Sequence, residues 1–180
     1  MRLDHLALRV KNRHESAKFF QTYPFNYKIQ TEFEIPELNT KCLVLTPPEK
    51  TSKDQPFFYP LFQSHPYFYD DEYHLAPEIF ISSSEDENSP VGQWVKERVN
   101  IGGIHHIAYT CDSVKTRMKY LKTHYNWKFT TEEPIVDEDI IQVFTKPIEV
   151  LGGLIIELIS RPSSRGFSKK NVRDLMQSTA

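Results

Sequence analysis

Two similar phrases, one in each half of the chain, place a histidine inside a run of apolar residues. The first is Leu3-Asp4-His5-Leu6-Ala7-Leu8 and the second is Ile104-His105-His106-Ile107-Ala108-Tyr109. Side chains of a β-strand alternate between its two faces, so His5 and His106 are expected to point inward with their apolar neighbours. Imidazole is a common metal ligand, and the pair therefore predicts one metal site built from two halves.

Each half also ends in a strand pattern that contains a glutamate, Glu78 in Pro77–Ile81 and Glu157 in Ile155–Ile159. Burying an isolated carboxylate is costly, so such a group must be paired, protonated or bound to a metal. We expect Glu157 to be a metal ligand, with a salt bridge inside the sheet as the alternative. Glu78 lies at a comparable point and is the candidate fourth ligand, with an exposed strand-edge carboxylate as the alternative.

The number of ligands decides between two chemistries. Two histidines with one carboxylate suit Fe(II) and oxygen chemistry, whereas a fourth ligand from Glu78 suits a redox-inert Lewis acid that polarises a carbonyl. Glu78 or Glu157 could then also move a proton. Strand alternation predicts that His105 faces the other way from His106, toward solvent or the neighbouring module. Lys146 and Arg161 flank strand ends and are expected to be solvated.

Composition excludes several classes of partner. Lys and Arg number 22 against 24 Asp and Glu, giving a formal charge of −2, which offers no electrostatic basis for binding nucleic acid or an anionic membrane. No apolar run approaches the ~18 residues of a membrane span, and the N-terminus enters a strand pattern without a signal-peptide core. Cys42 and Cys111 are far apart and predict reduced, buried thiols in a cytoplasmic protein.

The elements that would position these residues follow the order β-α-β-β-β twice. Strands are predicted at 3–10, 27–33, 41–45 and 78–82, and again at 104–110, 129–131, 140–145 and 154–160. Helices are predicted at 14–23, 91–99 and from 112 or 113 to 125, with a tail helix after Gly166-Phe167. We expect one α+β domain: a first module over 1–100 with an aromatic insert at 47–76, a second over 101–161, and a tail over 162–180.

The doubled module with its histidines and glutamate resembles the vicinal oxygen chelate superfamily. That superfamily includes glyoxalase I, methylmalonyl-CoA epimerase, extradiol dioxygenases and 4-hydroxyphenylpyruvate dioxygenase. The second half is most similar to the C-terminal domain of the last of these. The similarity lies in the phrases Gly103–Ala108, Ile140–Pro147, Ile156–Arg161 and Arg165–Asn171.

The resemblance implies a curled mixed sheet around one divalent metal. It implies an Fe(II) triad of His5, His106 and Glu157 that acts on a 2-oxo acid, with Gln142 in the substrate pocket and as a catalytic residue. Phe167 and Asn171 would line the same pocket, and Phe167 with the helix after it would form a gate.

Two departures from the dioxygenase keep alternatives open. Its separate N-terminal domain is absent here, and the strand of Glu78 and the segment Glu78–Ala108 look more like the epimerase or glyoxalase I. The first alternative is therefore an isomerase or lyase with Co, Mn, Ni or Zn held by four ligands including Glu78. The second is a ligand-binding module without turnover, which a set of three buried ligands argues against. The expected partners are a small carboxylic or 2-oxo acid and a second copy of the chain in a homodimer.

Overall fold

The computed structural model describes residues 1–23, 25–48, 77–137 and 140–161, together with residues 172, 173 and 176. The strands with described bounds are β1 (Arg2–Val10), β2 (Lys28–Ile35), β3 (Thr40–Thr46), β4 (Glu78–Ser83), β5 (Gly102–Thr110), β6 (Ile135–Val136), β7 (Ile141–Phe144) and β8 (Ile155–Ser160). The α-helices are α1 (Arg13–Gln21), α2 (Pro90–Glu97) and α3 (Val114–Tyr125).

The eight strands form one mixed sheet in the order β2-β3-β4-β1-β5-β8-β7-β6. β1 is parallel to β4 and β5 is parallel to β8, while β1 and β5 pair antiparallel at the centre. The strand order is therefore the same on both sides of the central pair, as a duplicated β-α-β-β-β unit requires. The predicted fold class, a curled and unclosed α+β sheet of two such units, is confirmed.

The helices begin where the sequence supplies side-chain caps. Asn12, Ser89 and Ser113 each accept a hydrogen bond from a backbone N–H in the first turn of α1, α2 and α3. Such caps satisfy backbone donors that have no partner within the helix. Asn126, in the left-handed region at φ 55°, ends α3. The N-termini of the three helices are thus defined by local sequence.

The two faces of the sheet carry different cores. α1 and α3 pack on one face, against Leu43 and Ile81 in the first half and Val143 and Leu158 in the second. The opposite face, here called the site face, carries His5, His106 and Glu157. A third cluster covers the site face with α2 and residues from near the C-terminus: Ala7, Phe33, Ile35, Cys42, Val44, Phe80, Val91, Val95, Phe144, Ile155, Val172 and Met176.

The backbones of β1 and β5 approach closely at Gly102, and β5 has a β-bulge at His105. Gly102 has φ +85°, and a Cβ there would lie 2.1 Å from the Arg9 carbonyl oxygen, so only glycine fits. Further along, Ala7 pairs with His106 while Leu8 pairs with Ile104. His105 is therefore the extra residue of a β-bulge, which breaks strict alternation along β5.

Most predicted elements are confirmed to within two residues at each end, but the strand predicted at 129–131 is wrong. Phe129 makes only an isolated bridge to Thr145, and the strand beside β7 forms instead at Ile135–Val136. Phe129 is buried against Met118 and Leu121 of α3, which turns the segment away from the sheet. Residues 49–76 of the predicted insert lie outside the described residues. No helix in the described ranges is long and apolar enough to cross a membrane.

Candidate metal centre

Three buried side chains meet on the site face at the centre of the sheet. His5 Nε2, His106 Nε2 and Glu157 Oε2 form a nearly equilateral triangle in which each pair of atoms is 3.2 Å apart. The exposed fractions of the three residues are 0%, 2% and 0%. Each residue offers one atom that can bind a metal. Among the described residues, these three form a cluster that could hold a metal ion.

The register of the central strands brings the three together. Ala7 pairs with His106 across β1 and β5, and Ala108 pairs with Glu157 across β5 and β8. Residues two apart on a strand share a face, so His5 joins Ala7, and His106 joins Ala108. Phe144, the partner of Glu157 on β7, places its ring 5.3 Å from the ring of His106 and closes that side.

The donor set fits a divalent metal. An ion bound at about 2.0–2.2 Å from three atoms in tetrahedral or octahedral geometry separates them by roughly 2.8–3.6 Å. The observed separations of 3.2 Å fall within that range. Neither oxygen of Glu157 has a hydrogen-bond partner within the described residues. A buried carboxylate that lies near two imidazoles without a hydrogen bond is explained by a shared cation between them. His5, His106 and Glu157 are therefore the residues that could hold a metal.

The charges of the three groups are coupled. Burial lowers the pKa of His5, but the charge of Glu157 and the hydrogen bond to Asp4 outweigh it and raise that pKa to about 9. Burial alone would raise the pKa of Glu157, yet the charge of His5 and the contacts with both histidines hold it below its usual value. Burial lowers the pKa of His106. The opposite charges of Glu157 and His5 therefore stabilise each other in the buried site.

His5 is supported from behind by a carboxylate. Its Nδ1 lies 2.8 Å from Asp4 Oδ1, and Asp4 also accepts hydrogen bonds from Thr110 Oγ1 and from two nitrogens of Arg161. Burial would raise the pKa of Asp4, but the hydrogen bonds from His5 and Arg161 hold it well below its usual range. The prediction that Arg161 is solvated is wrong, because its side chain is 15% exposed and paired with Asp4.

His105 does not face away from His106, as alternation predicts. It is 3% exposed, and its Nδ1 lies 2.9 Å from the Nδ1 of His106. The bulge at His105 rotates the side chain toward its neighbour, and Trp94 of α2 packs edge-on against the ring with the centroids 5.5 Å apart. Burial lowers the pKa of His105 well below its usual range, so the ring is neutral.

Glu78 lies on the site face but outside the triangle. It pairs with His5 in register, and its carboxylate approaches Arg161, with Oε2 3.7 Å from the guanidinium. Burial raises its pKa. The position that corresponds to Glu157 in the first half is not Glu78, because Ala108, two residues after His106, pairs with Glu157 whereas Ala7, two residues after His5, pairs with Phe80. A buried phenyl ring therefore stands where a fourth ligand would.

Gln142 is buried on the site face of β7, two residues before Phe144. Neither its amide nitrogen nor its amide oxygen has a hydrogen-bond partner within the described residues, and its exposed fraction is 0%. Such a side chain can donate to and accept from a polar molecule that enters the site. Phe167 and Asn171, the other predicted pocket residues, lie outside the described residues. Val172 and Met176, which follow them, are buried in the site-face cluster with Phe144.

Asp4, Phe80 and His105 are relevant residues that the sequence interpretation did not assign. Asp4 could have been found, because a carboxylate that precedes a ligand histidine is an obvious acceptor for its second nitrogen. Phe80 and His105 depend on register and on the bulge, which no sequence pattern reveals. An open groove of about 1120 Å³, lined by residues including Tyr109, Trp127 and Ile156, lies on the opposite face of the sheet and does not reach the triangle.

The arrangement of the sheet has counterparts among solved structures. A selenomethionine-labelled methylmalonyl-CoA epimerase superposes with a TM-score of 0.65 at 19% identity, over 91% of this chain and 97% of the other. This is the vicinal oxygen chelate fold. A variant methylmalonyl-CoA epimerase from Streptomyces coelicolor in complex with 2-nitronate-propionyl-CoA has a TM-score of 0.60 at 18% identity, over 91% and 99%. A hypothetical protein from Bacillus halodurans has a TM-score of 0.62 at 17% identity, over 92% and 98%.

No protein-family model matches the sequence, and no curated protein sequence matches it. The structural likenesses establish the fold predicted for the superfamily. The predicted similarity of the second half to 4-hydroxyphenylpyruvate dioxygenase finds no support among them. The cytoplasmic location, the homodimer and the module boundaries stay predictions.

Proposed function

We propose that this protein is a metal-dependent enzyme whose small-molecule substrate binds through two adjacent oxygens at the centre formed by His5, His106 and Glu157. The observation that carries the proposal is the triangle of three buried ligand atoms, His5 Nε2, His106 Nε2 and Glu157 Oε2, each 3.2 Å from the other two. Three protein ligands leave positions open for two substrate oxygens. A buried group of this kind has no evident role in a metal-free fold, because burying it is costly.

The donor set suits Fe(II), Co, Mn, Ni or Zn, since imidazole with one carboxylate binds these ions readily. When bound, such an ion supplies Lewis-acid stabilisation of negative charge that develops on a substrate oxygen. The surrounding side chains make that stabilisation effective. Phe80, Phe144 and Val172 are buried around the centre and exclude water, and a water-poor site strengthens every electrostatic interaction inside it.

The reaction class that we place first is an isomerase or epimerase that removes and returns a proton next to a carbonyl. Glu78 would be the base. Its carboxylate lies on the site face beside His5 in register, and burial raises its pKa toward the range in which a carboxylate both accepts and returns protons. Arg161, 3.7 Å away, would hold the carboxylate in place. Gln142 would hydrogen-bond a second polar group of the substrate. The epimerase structures of the same fold, one with methylmalonyl-CoA bound, favour this class and an acyl thioester substrate.

Deuterium exchange tests this assignment. The Co(II)-loaded protein is incubated in D2O with methylmalonyl-CoA and, separately, with a series of 2-oxo acids, and loss of the α-proton is followed by NMR. We expect exchange with at least one compound, and loss of exchange in Glu78→Gln with metal binding unchanged. Glu85→Gln is the matched control, because Glu85 is exposed and pairs with Lys41. Exchange that is equally fast in Glu78→Gln excludes Glu78 as the base.

A dioxygenase is the second candidate, and the ligand count favours it. Phe80 at the position equivalent to Glu157 leaves a centre of two histidines and one carboxylate, the arrangement typical of non-haem Fe(II) oxygenases. The expected substrate is a 2-oxo acid, with Gln142 orienting its far end. Oxygen consumption by the Fe(II)-loaded protein on addition of an aromatic 2-oxo acid would support this class over the isomerase. Exchange without oxygen consumption would exclude it.

A further inference from the structure

We propose that the residue immediately before each ligand histidine, Asp4 in one half and His105 in the other, is a positioning residue for the metal centre. Each accepts a hydrogen bond from the Nδ1–H of the following histidine and so keeps the Nε2 lone pair directed at the ion. The inference rests on the proposed function, since it concerns how the ligands of that centre are held.

The geometry of the first half supports this role directly. Asp4 Oδ1 lies 2.8 Å from His5 Nδ1, and a carboxylate can only accept in that contact. The proton of His5 that faces Asp4 is therefore on Nδ1, and Nε2 faces the triangle. Asp4 is itself fixed by Thr110 Oγ1 at 2.8 Å and by the Arg161 guanidinium at 2.8 Å. These two donors fix the orientation of the Asp4 carboxylate, and the carboxylate in turn fixes the orientation of the His5 ring.

In the second half, the acceptor for the ligand histidine is another histidine, His105. The Nδ1 atoms of His105 and His106 are 2.9 Å apart, so one ring donates and the other accepts. His106 Nε2 belongs to the triangle, and a nitrogen that donates its lone pair to a metal carries no proton. His106 must then donate from Nδ1, and His105 accepts. The Trp94 ring, 5.5 Å from His105, and the bulge at His105 hold the acceptor in place.

The two halves therefore support their ligands unequally. Asp4 offers a charged acceptor and His105 a neutral one, although they occupy the same place in the duplicated phrase. Charge-assisted hydrogen bonds are shorter and stronger than neutral ones, and a carboxylate behind a ligand imidazole raises its basicity. We infer that His5 is the more firmly oriented ligand and that His106 depends on the shape of the bulge.

Cobalt binding by the whole chain tests the proposal. Co(II) affinity is measured by chelator competition, and the ligand-field absorption of bound Co(II) reports the geometry of the centre. We expect His105→Leu to lower the affinity by about 10- to 100-fold. Asp4→Asn keeps an acceptor oxygen but removes its charge, so we expect a smaller loss of affinity, and we expect both variants to change the absorption. His105→Gln, whose amide oxygen can accept the same hydrogen bond, is expected to restore both. Asp112→Asn and His14→Leu, at exposed positions, are the matched controls.

Metal-free thermal unfolding is recorded for every variant, so that loss of folding is distinguished from loss of positioning. If Asp4→Asn does not fold, Thr110→Val replaces it, because that change removes one donor that fixes Asp4 and is expected to lower the affinity less. Wild-type affinity and absorption in folded Asp4→Asn and His105→Leu would overturn the positioning role while leaving the metal centre intact. Failure of the unmodified chain to bind Co(II) would overturn the centre itself.

Discussion

The imidazole Nε2 of His5 and the carboxylate Oε2 of Glu157 lie 3.2 Å apart, which is longer than a short charge-assisted hydrogen bond. A pair of opposite charges buried at 1% and 0% side-chain exposure would ordinarily close to a short charge-assisted hydrogen bond. Here both atoms also lie 3.2 Å from His106 Nε2. His5 and Glu157 are therefore placed as two ligands of one cation would be.

Glu157→Gln is expected to abolish metal binding without unfolding the protein. The amide keeps the shape of the side chain, so the metal-free protein is expected to fold, with a lower free energy of unfolding because buried His5 loses the charge with which it pairs. The unmodified chain should gain about 2.7 kcal/mol when the metal is present at 100 times its Kd, and the variant should gain nothing. Urea unfolding with and without Co(II) measures both effects. Equal stabilisation of the two proteins by the metal would remove Glu157 from the ligand set.

Phe80→Glu is expected to supply a fourth ligand, because Phe80 occupies the position in the first half that Glu157 occupies in the second. The metal-free variant should be less stable, since it loses a buried ring and gains an unpaired carboxylate. Metal binding should raise the free energy of unfolding of Phe80→Glu by more than it raises that of the unmodified chain. Phe33→Glu is the matched control, because its ring lies 6.3 Å from that of Phe80 in the same cluster but not at the equivalent position. Equal rescue of both variants would contradict the assigned register.

Gly102→Ala is expected to weaken the pairing of β1 with β5 and to disturb the triangle. Its φ of +85° is unfavourable for alanine by ~1–2 kcal/mol, and its Cβ would lie 2.1 Å from the Arg9 carbonyl oxygen. Gly152→Ala isolates the first cost, because Gly152 has φ +65° with no atom within 4 Å of its Cβ. Thermal unfolding and Co(II) affinity compare the two variants. A Gly152→Ala loss equal to that of Gly102→Ala would show that the close approach carries no cost.

The features that depend on a local pattern of residues could be predicted from the sequence. Alternation around His5 and His106 placed both inward, and the apolar run around Glu157 placed it with them. The cap residues Asn12 and Ser113 located the starts of two helices. These features depend on a few neighbouring residues, and the duplicated order of elements then restricted the topology to that of a known superfamily.

What the sequence did not reveal depends on register and packing. His105 turns toward His106 because β5 carries an extra residue at that point. The parallel pairs have the same register in the two halves, and Glu78 lies two residues before Phe80, which occupies the position that corresponds to Glu157. Arg161 is partly buried because it forms an ion pair with Asp4, which is distant from it in sequence. A one-residue or two-residue shift changes which side chain faces the site without changing the hydrophobic pattern that sequence analysis detects.

Binding of a divalent metal by the chain is the property on which the proposed function depends. The chain is stripped with chelator, titrated with Co(II), Zn(II) and anaerobic Fe(II) by calorimetry, and compared with His106→Ala. We expect one divalent ion per chain, a rise in thermal stability on binding, and loss of both in His106→Ala. Absence of stoichiometric binding by the unmodified chain, with identical unfolding curves in the presence and absence of each metal, would contradict the proposed function.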